Sequence, residues 1–279
     1  FYASGAAEYA AHDLIPVLGS FMEIESYRKL GKSTGRALPA FLHFNTRMNR
    51  LGLGAVETEK IIADPSLLNG IDVTGIMSHF ACADEAGHPV TEAQYDTFAA
   101  IARHFPSAQK SLCNSSGIFR DAKYRFDLAR PGAAMYGVNP VPETNNPMEP
   151  VVELKAAVLR TRMVYKGASV GYGATHTFDK DTWIATVAAG YADGLFRTLS
   201  NRGKLYWNGY ACPIRGRVSM DLTTVDLSAV PESARPKPGD MMEILGPHQG
   251  VDELGMDAGT IGYEILTALG ARYDRDYKR

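Results

Sequence analysis

Cysteine is scarce and scattered in this sequence: Cys82, Cys113 and Cys212 form no CxxC pair. A disulfide framework and a thiolate zinc site are therefore not expected, no metal is, and the pattern suits a reducing cytosol. A basic excess is missing as well. Lys and Arg total 29 against 31 Asp and Glu, a formal charge of −2, which leaves no electrostatic footprint for nucleic acid. Small anions can still be held by a few local arginines. No apolar run approaches the ~20 residues needed to cross a bilayer, so no membrane association is expected. No secretory signal opens the chain. Nor is there an initiator Met: Phe1-Tyr2-Ala3-Ser4 reads like the end of a strand, and the chain is expected to begin within a domain. Internal repeats and low-complexity tracts are absent too. What remains is ordinary globular composition, 45% hydrophobic and 22% charged over 279 residues, enough for one or two domains with sizeable cores.

The first half alternates short apolar or β-branched runs with helical patterns, which predicts βα units on a parallel sheet. Strands are expected at Ile15 to Leu18, Ala40 to Phe44, Val73 to Ser78, Ser111 to Cys113 and Tyr124 to Ala129, with Phe1 to Ala3 as a sixth candidate. Helical stretches fall at Gly54 to Ala63, Thr91 to His104 and Ser116 to Ala122. A closed (β/α)₈ barrel needs eight strands and about 250 residues. The sheet is therefore either open or a barrel whose first two or three strands are missing. A linker rich in Pro and Asn, Val138 to Pro147, separates this part from one of different texture. There, Val151 to Tyr165, Trp183 to Val187, Lys204 to Trp207, Cys212 to Arg215, Thr223 to Leu227 and Met241 to Leu245 read as strands of an antiparallel β domain. Turn pairs such as Asn208-Gly209 and Pro238-Gly239 punctuate them. A single closing helix is expected over Asp257 to Leu269. The division is 1–147 and 148–279.

In the first part, polar residues collect where the expected strands end. His79, after Gly75-Ile76-Met77, stands at the mouth where barrel enzymes work; a histidine merely hydrogen-bonded in the rim is the competing reading. Asn114-Ser115-Ser116 opens a helix and suits either an anion site or plain N-capping. Arg130-Pro131-Gly132 offers a permanently charged donor fork beside a residue that lets a ligand approach the backbone; a turn with a surface ion pair is the alternative. Three such strand ends in succession are harder to dismiss than one. In the β domain, Gly171-Tyr172-Gly173, Gly190-Tyr191-Ala192-Asp193-Gly194 and Ser219-Met220-Asp221 place reactive or polar residues among small neighbours. Turn chemistry explains any one of these equally well, and Gly-Tyr-Gly alone better.

Taken in order, these segments resemble the alanine racemase family. Met48-Asn49-Arg50-Leu51-Gly52, Ser78-His79-Phe80-Ala81-Cys82-Ala83-Asp84, Asn114-Ser115, Arg130-Pro131-Gly132-Ala133-Ala134-Met135-Tyr136-Gly137 and Gly171-Tyr172-Gly173-Ala174-Thr175 carry the likeness. So do Gly190-Tyr191-Ala192-Asp193-Gly194, Gly216-Arg217-Val218-Ser219-Met220-Asp221 and Ile261-Gly262-Tyr263-Glu264. Each is weak alone; the series spans essentially the whole chain and is specific. The resemblance implies a (β/α)₈ TIM-type barrel binding pyridoxal 5′-phosphate, a C-terminal β domain, and a cytoplasmic head-to-tail homodimer with shared active sites. It further implies a pyridoxal-phosphate-dependent isomerase interconverting L- and D-alanine for peptidoglycan. By the same resemblance Arg50 meets the cofactor's phenolic oxygen, His79 stacks on its ring and Arg130 faces the ring nitrogen. Asn114, Ser115, the backbone of Gly132 and Ala133, and the Tyr263 hydroxyl belong to the phosphate site. Tyr172 of a partner subunit is one of two catalytic bases, with Arg197 orienting it. Tyr191, Met220 and Asp221 line the substrate pocket.

Two departures from the family stand out. The family's cofactor-bearing lysine lies in an Ala-Val-Val-Lys-Ala-Asn-Ala-Tyr-Gly-type strand, a context that none of the lysines here has; residues 1–279 alone are therefore expected to be inactive. Many relatives also carry a carbamylated lysine that positions the arginine of the Met-Asn-Arg-Leu-Gly motif. Here His43 stands at that position with Asn45 nearby, and Arg47 replaces a usual glycine. A broad-specificity amino-acid racemase on the same fold and a non-catalytic pyridoxal-phosphate-binding protein are the alternatives. The second resembles the barrel alone, so the β domain argues against it.

Overall fold

A computed structural model describes residues 5–278; the strand expected at Phe1 to Ala3 lies outside them. Two compact units divide the chain. The first takes residues up to Ala134 together with Pro140–Asn146, and the second takes Met135–Asn139 and Pro147 onward.

In the first unit, helix α1 (Ala6–Ala11) precedes strand β1 (Val17–Leu18) and helix α2 (Phe21–Thr34). There follow β2 (Leu38–His43), α3 (Ala55–Ala63), β3 (Ile71–Met77), α4 (Pro89–Ala102), β4 (Gln109–Ser111) and α5 (Ser115–Arg120). The strands lie in sequence order, all parallel, with Val17 beside Phe41, His43 beside Met77, and Met77 beside Ser111. That register brings the carboxyl ends of β2, β3 and β4 to one edge, the place where βα sheets keep their chemistry. This is the (β/α) barrel wall that the alternating pattern predicts. Helix starts and stops follow ordinary rules. Ser20 caps α2 by accepting from the Glu23 N–H, and Gly35 ends it in the left-handed conformation.

Helices bury the faces their spacing dictates. On α2, Ile24, Tyr27 and Gly31 face inward; on α4, Thr91, Gln94, Phe98, Ile101 and Ala102 do. They close over Leu18, Leu42, Phe44, Ile76, Phe80 and Leu112. Between β2 and β3 the register slips after Ala40, so that Phe41 pairs with Gly75. The Thr74 hydroxyl caps the slip by donating to the Ala40 carbonyl at 3.3 Å.

Tyr124 to Ala129 is not a strand. A short 3₁₀ turn covers Ala122–Tyr124, and Phe126 has φ +47°, which no strand continues through. The Lys110 carbonyl accepts from both Asp127 N and Leu128 N at 3.1 Å, while the Lys110 N–H donates to the Asp127 carboxylate at 2.8 Å. A side chain thus replaces the carbonyl that a ladder would need. The segment still lies against β4, and Arg130 N donates to the Cys113 carbonyl at 3.1 Å.

The second unit is built on a six-stranded antiparallel sheet. Its strands are β5 (Leu154–Val164), β8 (Thr182–Val187), β9 (Lys204–Trp207), β10 (Tyr210–Pro213), β11 (Thr223–Asp226) and β12 (Met241–Leu245), ordered β10-β9-β12-β5-β8-β11. An isolated bridge from Ile214 to Val225 joins the two edges, so the sheet nearly closes on itself. Val158, Ile184, Val187, Leu205, Cys212, Val225, Met242 and Ile244 fill it. Asn208 and Gly209 both have positive φ, as a two-residue hairpin joining β9 and β10 requires. A small hairpin, β6 (Ser169–Val170) and β7 (His176–Thr177), projects the 171–175 loop.

The single closing helix is in fact two, α6 (Val251–Ala258) and α7 (Gly262–Ala268). Gly259 at φ +77° ends α6, and the Thr260 N–H turns back to the Gly255 carbonyl at 2.8 Å. Gly255 is needed there: a Cβ would stand 2.9 Å from the Gly262 nitrogen.

Gly31 offers a test of the α2 packing. Alanine favours helix by about 1 kcal/mol over glycine, yet its Cβ would stand 2.2 Å from the Gly70 carbonyl oxygen. Gly31→Ala is expected to destabilise the first unit by about 1–3 kcal/mol net, read by denaturant melting. A gain in stability would show that α2 does not press on the turn before β3.

Candidate active site

The strand-end edge of the first unit is organised by one guanidinium. Arg130 Nη1 donates to Ser111 Oγ, and Nη2 reaches the Ser78 carbonyl at 2.6 Å, the Leu112 carbonyl at 3.4 Å and His79 Nδ1 at 3.3 Å. Ser111 passes its own proton to the Leu128 carbonyl at 2.7 Å. Among the described residues Arg130 Nε has no hydrogen-bond partner, which leaves its N–H uncommitted. The contact fixes the His79 tautomer: a permanent donor faces Nδ1, so Nδ1 is the acceptor and the neutral ring carries its proton on Nε2. Burial foremost, then the charges of Arg130 and Arg50 and finally His43, push the His79 pKa down to about 4. His43 is lowered too, by burial and then by Arg130 and Arg50, with Glu23 acting weakly the other way.

His43, Asn45, Met48, Arg50, Ser78 and His79 line one narrow cleft. The loop carrying Arg50 is held at its base, where Asn45 N donates to the Leu53 carbonyl at 2.9 Å and Leu53 N to the His43 carbonyl at 2.8 Å. The Asn45 side chain closes a small ring with Asn49: its Nδ2 donates to Asn49 Oδ1 at 2.8 Å, and its Oδ1 accepts from Asn49 N at 3.0 Å. Arg47, Asn49 and Gly52 all have positive φ, Arg47 at +92°. Arg47 thus sits on a backbone conformation that favours glycine. The Arg50 side chain is exposed and makes no hydrogen bond among the described residues.

Asn114 and Ser115 divide the alternatives left open by their sequence. Asn114 caps α5, its Oδ1 accepting from Gly117 N at 3.0 Å. Ser115 Oγ accepts from Gly132 N at 3.0 Å and Ala134 N at 3.1 Å. Its hydroxyl proton is left over, as is the Ala133 N–H, while the Gly132 N–H is spent. Beyond His79, Arg120 clips the loop: Nε donates to the Ala83 carbonyl at 2.7 Å and Nη2 to the Asp84 carbonyl at 2.6 Å, while Nη1 pairs with Glu143. Hydrogen bonding to Arg120 holds the Glu143 carboxyl down at about 2.

In the second unit Tyr172 tips the β6–β7 hairpin, 71% exposed, its hydroxyl without a partner among the described residues. Gly171 and Gly173 both need positive φ, and a Cβ on Gly173 would stand 3.2 Å from the Arg217 guanidinium. That guanidinium lies beside the tyrosine's turn. Arg197 instead lines a concavity of about 650 Å³ with Tyr191, Gly194, Phe196 and Ala268, and no hydrogen bond ties it to Tyr172. The turn is anchored by Asn201, which donates to Thr175 Oγ1 at 3.2 Å and accepts from Gly216 N at 2.6 Å.

Tyr191 and Met220 sit on paired backbones, with Tyr191 N donating to the Ser219 carbonyl at 3.0 Å and Ala192 N to the Met220 carbonyl at 2.9 Å. Gly190 allows this approach, since a Cβ there would lie 2.3 Å from both carbonyl oxygens. Asp221 is committed to an ion pair. Arg272 bridges it at 2.6 Å and buried Asp193 at 3.2 Å, and Asp193 in turn caps Gly190 N at 2.9 Å. Tyr263 opens α7, its ring 6.4 Å from that of Tyr136. Sequence reading missed Thr46, Gln94, Ser111, Arg217 and Arg272. For Gln94 a signal existed, an amide in the apolar stripe of α4; the others carry none.

The two neutral histidines make stability depend on pH. Between about pH 6.5 and 4 the unfolded chain binds a proton that folded His79 refuses, and His43, lowered too, acts in the same direction, so stability is full above 6.5 and falls as pH drops through that window. For His79 the loss is on the order of 3 kcal/mol at pH 4. His79→Gln is expected to flatten the decline in melting experiments; an undiminished slope would mean the folded imidazole is charged. At Arg47, removing a side chain from a φ that strains it by about 1–3 kcal/mol outweighs the extra freedom glycine has when unfolded, about 0.4–1 kcal/mol. Arg47→Gly is expected to stabilise by about 1 kcal/mol. A comparable loss would reveal a holding role for the arginine.

The chain is similar to known proteins along nearly its whole length. The family model for the alanine racemase N-terminal domain matches residues 1–140, and that for the C-terminal domain matches residues 151–277. The alanine racemase of Rhodospirillum rubrum is 47% identical over 99% of this chain and 75% of its own. A catabolic alanine racemase of Mesorhizobium japonicum is 45% identical over 97% of this chain and 70% of its own. The crystal structure of the Bartonella henselae alanine racemase with covalently bound pyridoxal phosphate superposes with a TM-score of 0.94 at 37% identity, covering all of this chain and 77% of that one. By sequence and by fold, the chain belongs to the alanine racemase family.

Proposed function

We propose that the protein interconverts L- and D-alanine using pyridoxal 5′-phosphate, in the cytoplasm, supplying D-alanine for peptidoglycan. The observation that carries this is the pairing of Arg130 with a neutral His79 at the carboxyl edge of a parallel sheet. That pair suits a flat heteroaromatic ring: the imidazole offers an uncharged face, and the free Arg130 Nε–H offers a donor to a ring nitrogen. The spare Ser115 hydroxyl proton and the Ala133 N–H suit a phosphate. Tyr263, on the second unit, takes its phosphate role from the family resemblance alone.

When bound, pyridoxal phosphate withdraws electrons from an attached amino acid and acidifies its Cα–H. The protein's own part is positioning and proton transfer. Arg130 never gives up its proton at working pH, so a ring nitrogen facing it remains an acceptor. Racemisation requires a proton to leave one face of Cα and return on the other, and Tyr172 Oη serves one of those faces. Its hydroxyl has no partner among the described residues of its own chain, which supports a homodimer in which the partner subunit contributes Tyr172, Tyr191 and Met220. Asp221, held by Arg272, keeps Met220 in place, so that the neighbouring Tyr191 and Met220 side chains limit substrate size.

The test is racemisation of L-alanine by the complete, cofactor-loaded enzyme, with L-serine and L-lysine as comparisons. Alanine is expected to be turned over fastest. Equal turnover of L-lysine would instead indicate a broad-specificity racemase. Tyr172→Phe is expected to keep the cofactor's absorbance yet lose at least ~100-fold in kcat, the typical scale of a positioned acid or base. Unchanged turnover would remove Tyr172 from the chemistry.

A further inference from the structure

Gln94 is fully buried on α4, in a stripe otherwise fitted to the sheet by Phe98, Ile101 and Ala102. An amide in such a place is costly unless every one of its groups is paired, and this one is paired throughout. Oε1 accepts from Ala81 N at 2.8 Å; Nε2 donates to the His79 carbonyl at 2.9 Å and to Thr46 Oγ1 at 3.3 Å. The amide's orientation is fixed by its partners, because the reversed rotamer would set NH₂ against an N–H and oxygen against a carbonyl. One side chain therefore brackets His79, engaging its own carbonyl and the N–H two residues on, as a neighbouring strand would.

The second branch leads across the edge. Thr46 Oγ1 lies 2.6 Å from Ser78 Oγ, both buried, and the Ser78 carbonyl accepts from Arg130 at 2.6 Å. Thr46 belongs to the loop that carries Arg50. Gln94 thus ties the Arg50 loop, the His79 segment and Arg130 into one hydrogen-bonded frame, although Gln94 itself does not line the cleft.

We propose that Gln94 is a positioning residue that fixes the His79 ring against Arg130, and through Thr46 sets where the Arg50 loop stands. This rests on the reading of His79 and Arg130 as the cofactor's wall. A side chain that only filled space would affect stability alone. One that positions the imidazole also affects what the imidazole touches.

The test uses the complete enzyme loaded with pyridoxal phosphate and three variants. Gln94→Met keeps length and shape but removes all three bonds. It is expected to lower the visible circular dichroism of the bound cofactor at least twofold and kcat for L-alanine about tenfold, with KM changed less than twofold. In the cofactor-free protein, NMR titration of the His79 ring should move up toward the ordinary histidine range as the Arg130 contact loosens. Thr46→Val cuts only the second branch and is expected to cost kcat about two- to threefold with His79 titration unmoved. Should Gln94→Met not fold, Gln94→Glu carries the test, keeping the Ala81 bond and losing the two donors. A Gln94 variant that melts earlier but keeps wild-type dichroism, kcat and His79 titration would overturn the proposal. A wild-type enzyme that neither binds pyridoxal phosphate nor racemises alanine would overturn the functional reading instead, so the two failures are distinguishable.

Discussion

The edge of the first unit depends on keeping a cation where water is scarce. Arg130 is part-buried, and burial pulls its pKa below the usual arginine value without approaching neutrality. The lost hydration is offset by two backbone carbonyls and a serine hydroxyl, and no carboxylate contributes. A carboxylate would cancel the charge; dipoles stabilise it and leave its field in place. That field adds to burial, the larger cause, in keeping His79 and His43 neutral, since each also feels Arg130 and Arg50. It also explains why strand ends distant in sequence are held together. Ser78, Leu112 and Ser111 each give Arg130 an acceptor, so the charge and the geometry are stabilised by the same bonds.

The repeating βα pattern of the first unit was legible in the sequence because burial on both faces of a parallel sheet leaves continuous apolar runs, as at Ala40 to Phe44 and Val73 to Met77. The segment from Tyr124 to Ala129 has a strand's composition but follows an Asp121 turn and passes through Phe126 at a left-handed φ. A preference expressed through a single backbone angle leaves no trace in hydrophobic periodicity. The closing helix failed for a related reason: Gly259 inside a helical pattern reads as a weak helix residue, and only the bond from Thr260 N to the Gly255 carbonyl shows it to be a terminus.

Site residues were legible in proportion to how local their setting is. His79, Ser115 and Arg130 could be picked out because each directly follows a strand-like run. Ser111 looked like part of a strand, and it is one; its hydroxyl matters because Arg130, nineteen positions on, bonds to it. Arg272 and Asp193 meet across most of the second unit's sequence. Arg197 and Arg217 are separated only by their backbone settings: one stands in a short 3₁₀ turn beside Tyr191, the other follows Gly216, whose positive φ turns the chain beneath Val170. Two arginines near the right motif cannot be ranked by composition.

Each unit holds two kinds of polar group, and the contrast between them has a physical logic. Residues that build the frame spend their donors and acceptors inside the protein, as Gln94, Ser111, Asn201 and Asp193 do. Residues that face outward keep theirs, as do Arg50, Arg130 Nε, the Ser115 hydroxyl and Tyr172. A group already paired within the chain would have to break that bond to engage a ligand, and the exchange would cancel much of the gain. An unpaired group held by paired neighbours has only water to lose. Rigidity and reactivity are therefore assigned to different side chains. The frame is built from short polar residues whose bonds fix backbone, and the free functions hang from it on arginine and tyrosine, whose length carries a charge or a hydroxyl clear of the frame.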